Sequence, residues 1–137
     1  MGGRAVRIAP DTNLLVRAIT RDDLSQAKLA EAQLAGAELV AISAVALCEL
    51  VWVLLHSYKT PAADIAEVIR ALTDADNVEV DRRSLEAGLA FLDRGGDFAD
   101  GVNAHQGYEL GGDVFVSFDK KAVGIVEEVG EAALLLG

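Results

Sequence analysis

Val114-Phe115-Val116-Ser117-Phe118 is a run of β-favouring residues bounded by Gly111-Gly112 on one side and by an acid, Asp119, on the other. Its length and its β-branched and aromatic content mark it as a strand. Asp119 then stands at the carboxyl end of that strand, ahead of a helical pattern over residues 121–129. The same order recurs outward from it. Residues 6–9 read as a strand running into Pro10-Asp11, after which Leu14, Leu15 and Ala18 form a helical face. Residues 39–42 read as a second strand, and Ser43 caps a helix over 44–58 that carries Glu49 in its first two turns. Between these lie a helix over 23–34 stopped by Gly36 and a helix opened by Thr60, as a capping hydroxyl, and Pro61. A short strand at 78–80 follows, then a helix with Leu85, Leu89 and Leu92 closed by Gly95-Gly96. Another helix begins at 97–100 and ends at Gly111-Gly112, and residues 132–136 form a final edge strand.

Short, continuously apolar strands alternating with helices predict a parallel sheet covered on both faces. The expectation is one domain over residues 1–137, a three-layer α/β/α sandwich around a central, mainly parallel five-stranded sheet. A chain of 137 residues with 52% hydrophobic content buries a core without disulfides. Its single cysteine, Cys48, excludes an internal disulfide and a cysteine-based metal site, and suits a reducing cytoplasm. Residues 1–8 lack the apolar core of a secretory signal, and no stretch reaches the ~18 to 20 apolar residues of a membrane span. A soluble, unprocessed, cytoplasmic protein without a membrane role is expected. Twelve basic and 22 acidic residues give a net charge of −10. That surplus opposes indiscriminate nucleic-acid binding and suits cations and a basic protein partner.

In parallel α/β folds ligands bind beyond the carboxyl ends of the strands, so acids spread along the chain meet there. Asp11, Glu49, Asp100 and Asp119 each fall at a strand-to-helix junction or on the helix that follows. Carboxylates so placed are oxygen ligands for a hard divalent cation, which activates water and neutralises charge developing on a phosphate. Helix capping is the competing role for Asp11 and Asp100. Glu49, set between Cys48 and Leu50 in an apolar helix, favours ligation or pairing. Asn103, three residues after Asp100 on the same helical face, is placed to hydrogen-bond a carboxylate, whereas Gly101 weakens its helix by ~1 kcal/mol relative to alanine. Arg94, Lys120 and Lys121 flank the acids as candidate phosphate contacts. His105 is turned away from Asp100 and His56 lies two turns beyond Glu49, so neither reads as catalytic. Trp52 and Cys48 read as core or dimer contacts.

Four motifs, at residues 11–17 (Asp-Thr-Asn-Leu-Leu-Val-Arg), 48–54 (Cys-Glu-Leu-Val-Trp-Val-Leu), 97–101 (Asp-Phe-Ala-Asp-Gly) and 117–120 (Ser-Phe-Asp-Lys), occur in the order and spacing of a PIN domain. They most closely resemble the VapC-type ribonuclease toxins of toxin–antitoxin pairs, from about Ile8 to Leu136. The resemblance implies that Asp11, Glu49, Asp100 and Asp119 hold Mg²⁺ or Mn²⁺ and that a metal-activated water cleaves an RNA phosphodiester. It implies supporting roles for Asp97, Thr12, Asn13 and Ser117. It also implies a homodimer that binds a cognate antitoxin through a basic tail. A PIN-fold module that binds RNA or protein without cutting is the alternative. A phosphoryl-transfer protein of the haloacid-dehalogenase or receiver type is disfavoured, because Asp11-Thr12-Asn13 lacks the Asp-x-Asp pattern.

Overall fold

The structure, a computed structural model, describes residues 6–137. The opening residues 1–5, part of the stretch judged for a signal sequence, lie outside the described residues. Twelve elements follow in chain order: β1 (Arg7–Ile8), α1 (Thr12–Thr20), α2 (Leu24–Gly36), β2 (Leu39–Ala41), α3 (Ala44–His56), α4 (Ala62–Thr73), β3 (Val78–Glu79), α5 (Arg82–Asp93), α6 (Phe98–Glu109), β4 (Phe115–Ser117), α7 (Lys120–Glu128) and β5 (Ala133–Leu135). The chain divides into two compact units, residues up to Val80 and residues 81–137. No helix among the described residues is long and apolar enough to cross a membrane.

In the first unit β1, β2 and β3 pair in parallel and in sequence order, with Ile8 opposite Val40 and Val40 opposite Val78. Adjacent parallel strands end on the same side, so the helices that follow β1 and β2 start side by side. Leu15, Val40, Leu47, Leu50, Ile65 and Ile69 are fully buried and form the core. Helix starts follow the local chemistry. The Asp11 carboxylate accepts from the Leu14 backbone at 2.9 Å, and the Ser43 hydroxyl accepts from the Ala46 backbone at 3.1 Å, each satisfying an N–H that the first turn leaves open. Two boundaries differ from expectation. Pro61 itself is the N-cap of α4, without a side-chain cap from Thr60, because a chain already extended at Pro61 turns directly into the helix. Gly36 is the last helical residue, and α2 ends in extended chain at Ala37, so no left-handed glycine closes it.

In the second unit β4 and β5 pair in parallel, Val116 opposite Leu134, with α7 as the crossover. Phe91, Ala104, Ala122, Ile125 and Val126 make a core on which Tyr108, Phe115 and Ala133 pack. The closest contact is between α5 and α6. A Cβ at Gly88 would lie 2.6 Å from the Phe98 ring, and one at Gly101 would meet the Ala87 carbonyl oxygen. Gly101, expected only to weaken its helix, instead lets the two backbones touch. Hydrogen-bonded pairing among the described residues therefore yields two parallel sheets, of three and two strands, where one five-stranded sheet was expected. Strands of two or three residues offer few ladder bonds, so helix packing carries most of the organisation of each unit.

Candidate metal centre

The β1–α1 and β2–α3 junctions of the first unit bring Asp11 and Glu49 to one cavity of about 650 Å³, lined also by Thr12, Asn13, Ser43 and Arg17. The Thr12 hydroxyl donates to Glu49 Oε2 at 3.2 Å. Two helical turns further on, the Tyr58 hydroxyl donates to Asp22 Oδ2 at 2.6 Å. These two bonds tie the start of α1 to α3, and its end to the end of α3, so the helices run side by side in the same direction. The cavity is the trough between them. Glu49 is exposed on its rim rather than buried in the apolar helix, and Asp11 and Asn13 are likewise exposed. Asp11 gives Oδ1 to the helix cap, which leaves its other oxygen for a ligand.

In the second unit Asp97 caps α6 through the Ala99 backbone at 2.7 Å. Asp119 caps α7 through the backbones of Lys121 and Ala122, at 2.9 and 3.1 Å. The Ser117 hydroxyl accepts from the Asp119 backbone and fixes the turn that presents it. Asp100 has a different setting. It lies in the first turn of α6 but is not the cap. Partial burial pushes its carboxyl above the ordinary value, and the charges of Asp97 and Asp119 push it the same way. Capping thus accounts for Asp97, not Asp100. Asn103 is exposed on α6.

A hard divalent cation needs oxygen donors and relieves like-charge crowding: the first unit offers a free carboxylate oxygen on Asp11 in the cavity that Glu49 also lines, and the second a half-buried Asp100 that feels the charges of Asp97 and Asp119. Carboxylate oxygens of this kind suit a hard divalent cation. Among the described residues, neither unit by itself gathers three His, Cys, Asp or Glu side chains into a metal-holding cluster.

The model of the PIN domain family matches residues 8–127, which include all four acids. The chain belongs to the PIN domain family. This is a nuclease-type fold, and its members typically use divalent metals and bind nucleic acid. No curated protein matches the chain.

Other residues of this PIN domain take local roles. His56 stacks on Trp52, with ring centroids 4.6 Å apart, and its Nδ1 lies 3.0 Å from the Trp52 carbonyl. His105 sits 3.5 Å from Glu109, one turn along its helix. Trp52 is 56% exposed, so it is not a core residue. Arg94 donates to the Ala90 carbonyl and approaches Glu128 at 3.9 Å, while Lys120 and Lys121 are exposed beside Asp119. Sequence reasoning gave no role to Arg17, Asp22 and Tyr58. The signal was present in part: Asn13 and Arg17 are four residues apart, the spacing that puts both on one helix face.

Proposed function

We propose that the protein is a metal-dependent endoribonuclease, the toxin of a toxin–antitoxin pair, with Asp11, Glu49, Asp100 and Asp119 as ligands of Mg²⁺ or Mn²⁺. The observation that carries this reading is Asp100, a carboxylate held half-buried between Asp97 and Asp119 without a capping role. Such an arrangement destabilises the folded chain by itself and is relieved by a cation. The cation, when bound, supplies a Lewis acid that activates water and neutralises charge on the phosphate.

The chain's own residues hold the oxygens in place. Asp11 and Asp119 are fixed by their caps, Glu49 by the Thr12 hydroxyl, and the Asp119 turn by Ser117. In this reading residues 1–137 act as one domain. Asn13, Asn103 and Asp97 hydrogen-bond around the ligands, and Arg94, Lys120 and Lys121 contact phosphates. Neither histidine moves a proton, since each is engaged within its own helix. The net charge of −10 supports a basic antitoxin tail that covers the acids of a homodimer.

The test is cleavage of RNA by the purified protein with Mg²⁺ or Mn²⁺, with and without EDTA. Chelation should abolish cleavage, and Asp100→Asn or Asp11→Asn should lower the rate at least ~10²-fold. Cleavage that survives EDTA and is lost in His105→Ala would overturn the mechanism. Absence of any metal-dependent cleavage would leave a module that binds without cutting.

A further inference from the structure

The trough between α1 and α3 is not uniformly acidic. Asp11, Thr12 and Glu49 line its beginning, and Arg17, Ser57 and Tyr58 line it further along. Arg17 stands six residues after Asp11, about 9 Å along the helix at ~1.5 Å per residue. Its Nη1 donates to Asp22 Oδ1 at 3.0 Å, and Asp22 also accepts from Thr20 at 3.1 Å and Tyr58 at 2.6 Å. Those three donors, Tyr58 foremost, hold the Asp22 carboxyl below its ordinary value, so it stays ionised and keeps the guanidinium in place. Arg17 itself is under-used. A guanidinium has five N–H donors, yet among the described residues Asp22 is its one side-chain acceptor, and its Nε is shielded from solvent with no hydrogen-bond partner among them. The network is anchored at both ends by left-handed turns, Arg21 at φ 55° and Lys59 at φ 54°, immediately before Asp22 and immediately after Tyr58.

We propose that Arg17 holds a backbone phosphate of a single-stranded RNA, next to the phosphate that is cut, and that Asp22, Thr20 and Tyr58 position it. This rests on the endoribonuclease reading and names where the strand lies. A cation at the Asp11 and Glu49 end of the trough would offset charge only on the phosphate beside it, and a chain of net charge −10 repels the phosphates on either side. A guanidinium fixed in the trough before the strand arrives offsets the next one with little ordering cost, and its free donors match phosphate oxygens. Asp22 and Tyr58 are positioning residues that act through Arg17.

The experiment is binding of a fluorescein-labelled, mixed-sequence single-stranded RNA 20-mer, followed against salt in Ca²⁺, with cleavage kinetics in Mn²⁺ alongside. Arg17→Gln is expected to weaken binding about tenfold, the scale of a hydrogen bond to a charged group, and to reduce the slope of log affinity against log salt by ~0.7, one single-strand phosphate contact. KM should rise about tenfold with kcat within about threefold. Tyr58→Phe should raise KM less and keep the slope. Arg17→Lys, which keeps the charge and loses the fork, should keep the slope and raise KM severalfold. An Arg17→Gln protein that melts lower but binds RNA with wild-type affinity and slope would show a purely structural residue and overturn the proposal. Should Arg17→Gln not fold, an unchanged KM in Arg17→Lys overturns it equally. A wild type that does not bind RNA at low salt would also overturn it. A protein that binds with an Arg17-dependent slope but never cuts would refute the endoribonuclease reading and leave the strand position standing.

Discussion

The two units each place one acid just past a strand, Asp11 after β1 and Asp119 after β4, and a second within a helix, Glu49 on α3 and Asp100 on α6, but the helix-borne acids have different surroundings. In the first, Asp11 and Glu49 lie open to solvent along a trough, and each already has a donor, the Leu14 backbone for one and the Thr12 hydroxyl for the other. In the second, Asp100 is half-buried and crowded by Asp97 and Asp119. The second unit carries a carboxyl whose ionised form is disfavoured by burial and by neighbouring acids.

The largest test of this contrast is a pair of substitutions. Asp100→Asn and Glu49→Gln should both lower metal-dependent cleavage at least ~10²-fold, yet only Asp100→Asn should raise the melting temperature of the metal-free protein. Equal effects on melting would erase the distinction between the units. Millimolar Mg²⁺ or Mn²⁺ should stabilise the wild type, by ~2.7 kcal/mol at a hundredfold excess over Kd, and Asp100→Asn should remove most of that gain. Calorimetry with and without metal measures both.

A second test concerns the helix that carries Asp100. Gly101→Ala should destabilise the protein by ~1–3 kcal/mol, because the new methyl meets the Ala87 backbone, which cannot move aside as a side chain would. Gly107→Ala, on the same helix with nothing within 4 Å of the added Cβ, should stabilise by up to ~1 kcal/mol through helix propensity alone. Urea denaturation of the two variants gives opposite signs if packing, rather than propensity, governs position 101.

The smallest effect is in pH. The Asp100 carboxyl is raised in the folded chain, so its contribution to stability is fully present below about 3.8 and is lost as pH rises through its folded value. Asp22, held by the Tyr58 hydroxyl, and Asp81, held by the Ser84 hydroxyl, are lowered. Their contributions are present above 3.8 and fall away as pH drops through their folded values. In metal-free protein, Asp100→Asn should remove the loss of stability above pH 3.8 and leave the acid limb unchanged. Thermal melting across pH 2–6 would show no pH-dependent difference between Asp100→Asn and the wild type if Asp100 were an ordinary surface acid.

Much of this was legible beforehand. The strand-to-helix order, all seven helices and the cap at Ser43 follow from local chemistry, because a hydroxyl before an apolar periodic run has few other uses, whereas the caps at Asp97 and Asp119 were not foreseen. The four motifs gave the family, which the match over residues 8–127 establishes. What was not legible depended on tertiary proximity. The five-stranded sheet was inferred from strand number, whereas the ladders formed by two- and three-residue strands group as three and two. Gly101 was weighed by propensity, because its neighbour Ala87 lies on another helix. Tyr58 was read as a helix end, because its partner Asp22 is 36 residues away.

The contact at Gly88 and Gly101 also bears on how the molecule opens. With α5 and α6 this close, the amides along their shared face can exchange with solvent only when the two backbones part, which places them among the slowest-exchanging protons of their unit. Asp100 is carried on that slow-opening pair, one residue from the point of contact. The trough lined by Asp11 and Glu49 is held instead by two side-chain hydrogen bonds, Thr12 to Glu49 and Tyr58 to Asp22, which solvent reaches more readily than a backbone contact.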